Sequence, residues 1–125
     1  EGNDIVAANP NAPIDPLAPQ PEPSTPPAAP VGNANPSFNC ANARTAGEIA
    51  VCSDDGLAAL DRRMASQFRS ALADADPEQR AILNRTRDSF LRYRDQCPSN
   101  ACVAQTYRGR MREIRDVMRG TWRPR

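Results

Sequence analysis

Residues 53–79 read SDDGLAALDRRMASQFRSALADADPEQ. Within them Leu57, Leu60, Met64, Phe68, Ala71 and Leu72 recur at helical spacing, so one apolar face is predicted along a helix over about 55–75. Ser53 or Asp54 is its N-cap. Asp76-Pro77-Glu78-Gln79 then restarts the chain, with an N-cap, a proline at the first helical position and an acid in the first turn. That second helix is expected to run to about 96, using Ile82, Leu83, Phe90 and Tyr93. A linker this short between two long helices brings them side by side and antiparallel.

The same logic extends in both directions. Upstream, Thr45-Ala46-Gly47-Glu48 fits a capping box, and a short helix over 46–52 follows. Downstream, Pro98-Ser99-Asn100 breaks the chain. A last helix over about 101–119 uses Val103, Tyr107, Met111, Ile114 and Met118, with Gly120 as its stop. No segment alternates with period two for long enough to make a strand. The expected fold class is all-α: a small antiparallel helical bundle over 37–125.

Residues 1–36 are of another kind. They hold ten of the chain's 13 prolines and four acids (Glu1, Asp4, Asp15, Glu22) without a base, a charge of −4; residues 37–125 carry +5. Proline holds φ near the polyproline value and removes donors, and a segment without aromatics cannot offset its ordering entropy by burial. We expect a disordered linker, reaching on the order of 110 Å if fully extended. A spacer, a PxxP ligand and a tolerated tail are its possible roles. Glu1 is not a natural start, and a signal or anchor is expected upstream. No run approaches the roughly 18 apolar residues of a membrane span.

Composition narrows the chemistry. All 16 basic residues are arginine, and there is no histidine. This excludes Ser-His-Asp and Cys-His catalysis and histidine zinc sites. No nucleophile–base pair, phosphate loop or metal cluster stands out, so no enzyme activity, metal or cofactor is expected.

Four cysteines admit three pairings. Cys40–Cys52 and Cys97–Cys102 are expected, because each closes a local loop beside a helix end, adding roughly 3 kcal/mol apiece. Zinc is the competing reading, but only Cys97 and Cys102 have knuckle-like spacing. Disulfides imply an oxidising compartment: periplasm, cell surface or medium.

The residues Ser37-Phe38-Asn39-Cys40, Ala43, Glu48, Cys52 and Leu57-Ala58-Ala59-Leu60-Asp61 resemble the opening of the bacterial family named after the lysozyme inhibitor LprI. Phe90-Leu91, Arg94, Cys97, Cys102, Tyr107 and Arg110 continue the likeness, which covers about 37–115. Departures are Asn39 for Asp, Val51 for Ile, Phe68 for Tyr and Phe90 for Trp; Val51 and Phe90 keep the apolar bulk. The resemblance implies a small, helical, extracytoplasmic protein, often lipid-anchored, and a muramidase as partner.

Two sites follow from register. Asp61 shares a stripe with Leu57, Met64 and Phe68, and Arg94 with Phe90 and Cys97. A charge on an apolar stripe needs a partner, so a structural Asp61–Arg94 ion pair across the bundle is expected. A catalytic Asp61 lacks a second carboxylate to work with, since Glu48 is explained by its capping box. The second site is a stripe of Arg108, Arg112, Arg115 and Arg119 on one helical face. It suits a carboxylate-lined protein cleft, an anionic envelope polymer or lipid headgroups. Internal pairs such as Arg112 with Asp116 are the plainer reading. Nucleic acid is not expected, because no stacking aromatic accompanies the stripe and the disulfides point outside the cytoplasm.

Two functions of different class remain. One is a non-enzymatic inhibitor of a muramidase. The other is an accessory or structural subunit of an envelope complex, tethered by the proline-rich segment. A transmembrane helix upstream would favour the second; a lipobox or cleaved signal would favour the first.

Overall fold

The structure is a computed structural model that describes residues 34–124. The expected linker lies outside the described residues, apart from 34–36. Those three residues belong with the domain. Ala34 N–H donates to the Cys52 carbonyl at 3.0 Å, the Asn35 carbonyl accepts from Arg62 at 2.6 Å, and Pro36 is buried.

A single 3-10 turn over Cys40–Asn42 leads into α1 (Ala46–Cys52), α2 (Asp55–Asp74), α3 (Pro77–Asp95) and α4 (Asn100–Arg119); no strand occurs among the described residues. The first three starts have the caps expected from the sequence, and the fourth has a cap within what is read there only as a chain break. Thr45 and Glu48 form a capping box at α1, Asp54 caps α2, Asp76 and Gln79 form a second box at α3, and Ser99 caps α4. Backbone N–H groups of Arg44 and Thr45 both donate to Glu48, and they hold its carboxyl below the usual glutamate range. Gly120 ends α4 in the left-handed region, φ 77°, a backbone conformation that residues with a Cβ adopt only at a cost.

The helices pack as up, down, up. Arg94 reaches Tyr107, Leu83 reaches Arg110 and Gln79 reaches Val117, so numbering falls along α3 as it rises along α4. Asp61 meets Tyr107 and Gln67 meets Met111, so α2 and α4 run in the same sense. Helix α4 lies against both others, which touch each other far less. One end of the core holds Val51, Leu57, Ala58, Leu60, Phe90, Val103 and Tyr107. The other holds Ala71, Leu83, Ile114 and Val117. Tyr93, expected on the inner face of α3, is 68% exposed; that face is Leu83, Thr86, Phe90 and Arg94.

Cys40–Cys52 and Cys97–Cys102 are both disulfides. No described cysteine sulfur is left for zinc. The first disulfide ties the amino-terminal segment to the end of α1, and the second spans the α3–α4 turn.

Helix α1 crosses the end of α3 at a glycine. A Cβ on Gly47 would stand 2.5 Å from the Asp95 carboxylate and 2.8 Å from the Arg94 carbonyl. The carbonyl cannot swing aside as a side chain can. Gly47→Ala is therefore expected to destabilise the fold by about 1–3 kcal/mol through overpacking. Thermal unfolding followed by circular dichroism checks this, and an unchanged melting temperature would contradict it.

Candidate binding surface

Asp61 and Arg94 are both buried, at 2% and 5% exposure, but they do not form the direct pair expected of them. A tyrosine hydroxyl stands between them. Arg94 donates to the Tyr107 oxygen at 3.3 Å, and the Tyr107 O–H donates to Asp61 at 2.8 Å. The other Asp61 oxygen accepts from the Ser37 backbone N–H at 2.6 Å. Arg94 takes its carboxylate from its neighbour, bonding Asp95 at 2.9 and 3.0 Å. Asp95 also accepts from the Thr45 hydroxyl at 2.9 Å. One polar chain thus joins the amino-terminal segment, α2, α4, α3 and the cap of α1.

The chemistry of this chain is structural. Burial, reinforced by the Asp61 carboxylate, raises the Tyr107 hydroxyl far above its ordinary value, so it stays protonated and can donate. Burial alone would lower Arg94, but the Tyr107 oxygen and Asp95 outweigh it and the net shift is upward. The Phe38 ring lies 5.7 Å from the Arg94 guanidinium, and Phe90 meets Tyr107 edge-on at 5.1 Å. Among the described residues no set of three His, Cys, Asp or Glu side chains is placed to hold a metal.

Arg110 is the second buried arginine. It adds no charge to the surface stripe, being 2% exposed. Its guanidinium donates to Thr86 at 2.7 Å, to the Leu83 carbonyl at 2.9 Å and to Glu113 at 2.9 Å, against the rings of Phe68 and Phe90. Burial lowers its pKa despite Glu113.

The stripe itself lies where the spacing put it. Arg108, Arg112, Arg115 and Arg119 are all exposed on α4. None of the four makes an ion pair among the described residues, and the Arg112–Asp116 pair does not form. Arg112, Arg115 and Arg119 line a groove of about 360 Å³ with Glu113, Asp116, Trp122 and Arg123; Arg108 lies outside it. An aromatic ring does accompany the stripe, contrary to expectation. After Gly120 the chain doubles back, and Thr121 and Trp122 N–H both donate to the Asp116 carbonyl, at 2.9 and 3.1 Å. The indole N–H bonds Glu113 at 3.3 Å. In sequence the ring lies beyond the helix stop, so helical spacing could not show that it returns to the arginine face.

A family model described as lysozyme inhibitor LprI matches residues 39–124. The chain belongs to the LprI lysozyme inhibitor family. No curated protein and no solved structure gives a significant match. Among the residues that carry the family likeness, Asp61, Arg94, Tyr107 and Arg110 are buried polar groups and the four cysteines form the two disulfides described above. These residues build the domain, and the matched span of the LprI family also includes the arginine face.

Proposed function

We propose that this protein is a non-catalytic, extracytoplasmic binding module that inhibits a muramidase through the arginine face of α4. The observation that carries the proposal is a row of exposed guanidinium groups without carboxylate partners among the described residues, on a member of the lysozyme inhibitor family. A glycosidase cleft is built around two carboxyl groups. An inhibitor must fill that cleft or satisfy those carboxylates, and the planar guanidinium does so with two parallel hydrogen bonds. Two disulfides fit a compartment where thiols oxidise.

Net charge predicts which muramidases are captured quickly. Residues 37–125 carry +5, so a strongly basic lysozyme gains no long-range steering and must be held by local contacts. An acidic muramidase is steered. Association with an acidic enzyme is expected to slow by about tenfold or more between low and physiological salt, and with a basic enzyme far less. Stopped-flow binding and inhibition assays across several muramidases measure this. Absence of both inhibition and co-elution with every enzyme would overturn the proposal.

A further inference from the structure

We infer that the groove beside Trp122 is a binding site for a carboxylate-bearing saccharide. The ring is fixed before any ligand arrives. Gly120 turns the chain at φ 77°, the Asp116 carbonyl accepts from two successive backbone N–H groups, and the indole N–H is tied to Glu113. An aromatic plate held this way loses little freedom on binding.

The charge beside the plate is arranged unevenly. Glu113 is one of two acids lining the groove, and buried Arg110 balances it from beneath at 2.9 Å. Arg112, Arg115, Arg119 and Arg123 then face Asp116 alone. The groove offers the part of the half-buried indole that is not packed against the Ala71, Leu83, Ile114 and Val117 cluster, a cluster of forked donors and about 360 Å³ of space, within the range of small-molecule sites. A pyranose ring has an apolar C–H face that lies flat on an indole. A carboxylate on the same sugar takes the bidentate guanidinium geometry. Phosphate is the weaker fit. It favours helix N-termini, whereas this groove flanks the C-terminal end of α4, where the helix dipole opposes multiply charged anions.

Trp122 is the only tryptophan in the chain, so fluorescence excited at the red edge of indole absorption, where Tyr93 and Tyr107 do not absorb, reports this site alone. The test titrates the full chain with three probes and no muramidase present, so its outcome is independent of the inhibition proposal. The probes are a disaccharide of N-acetylglucosamine and N-acetylmuramic acid, which carries one carboxylate; N,N′-diacetylchitobiose, which is of similar size and neutral; and inorganic phosphate. The expected result is a saturable change with the carboxylated sugar and at least about tenfold weaker binding of the other two. Arg115→Gln with Arg119→Gln should weaken the carboxylated sugar about tenfold or more. Trp122→Phe, followed by calorimetry, should weaken it similarly. Circular dichroism must show both variants folded. No saturable response to the carboxylated sugar would overturn the inference. So would equal affinity for the neutral sugar or for phosphate, or full affinity in the folded variants.

Discussion

Tyr107→Phe is expected to cost about 2–4 kcal/mol, because two buried charges lose the hydroxyl that joins them. In wild type that oxygen accepts from Arg94 and its proton goes to Asp61. The variant leaves Asp61 with only the Ser37 N–H and Arg94 with only Asp95. Volume and ring packing against Phe90 are preserved, so a cavity contributes little. For a domain of this size the loss corresponds to on the order of 10–20 °C in melting temperature. A pH signature accompanies it. Tyr107 has a raised pKa in the fold, so the folded state keeps a proton that the unfolded chain releases near pH 10. This contribution is fully present below pH 10 and falls as pH rises further. Wild type should therefore lose stability on alkaline titration more steeply than Tyr107→Phe. Asp61→Asn should be destabilising as well, because its amide presents a donor to Ser37 N–H or to Tyr107. A full melting temperature in either variant would remove the relay as a source of stability.

Cys40→Ser with Cys52→Ser is expected to have an effect of similar size. The bond spans 12 residues and Cys97–Cys102 spans five. Loop entropy assigns about 3 kcal/mol to the first and about 2 kcal/mol to the second. The first also holds the segment whose Ser37 N–H reaches Asp61, so its removal loosens the relay in addition. Together the two approach the lower end of the 5–15 kcal/mol that stabilises an ordinary domain. A reducing agent should therefore bring the midpoint of thermal unfolding close to physiological temperature. The double variants, melted separately, should rank with the Cys40–Cys52 loss as the larger. The reverse order would contradict the role given to that bond.

Local rules made most of the architecture readable. Caps at Thr45, Asp54 and Asp76, the proline at position 77 and the glycine at 120 are contacts within a few residues, and sequence spacing displays them directly; Ser99 caps α4 over an equally short range but stands in the sequence only as part of a chain break. Long-range partners are not displayed. Periodicity placed Asp61 and Arg94 on buried stripes but could not show that a tyrosine oxygen would stand between them. On α4 the apolar spacing runs through Val103, Tyr107, Met111, Ile114 and Met118; three of these are buried, but Met111 and Met118 are only half-buried, and the buried register is Val103, Tyr107, Arg110, Ile114 and Val117. Steps of four, three, four and three run through Arg110, so the pattern was present. Its charge hid it, because a buried arginine becomes reasonable only once Thr86, Leu83 and Glu113 are seen to take its protons. Tyr93 failed the opposite way, an aromatic taken as core that faces solvent. The arginine face was legible because four like residues on one helix edge need no tertiary partner to be aligned.

The proposal that a muramidase is gripped by the arginine face of α4 has one direct test. The dissociation constant for an inhibited muramidase is measured for wild type and for Arg112→Glu, Arg115→Glu, Arg119→Glu combined, beside the melting temperature of each. Affinity should fall by about a hundredfold or more, with the melting temperature nearly unchanged because none of the three groups holds the fold together. Undiminished inhibition by the folded triple variant would show that the enzyme is gripped elsewhere on the molecule.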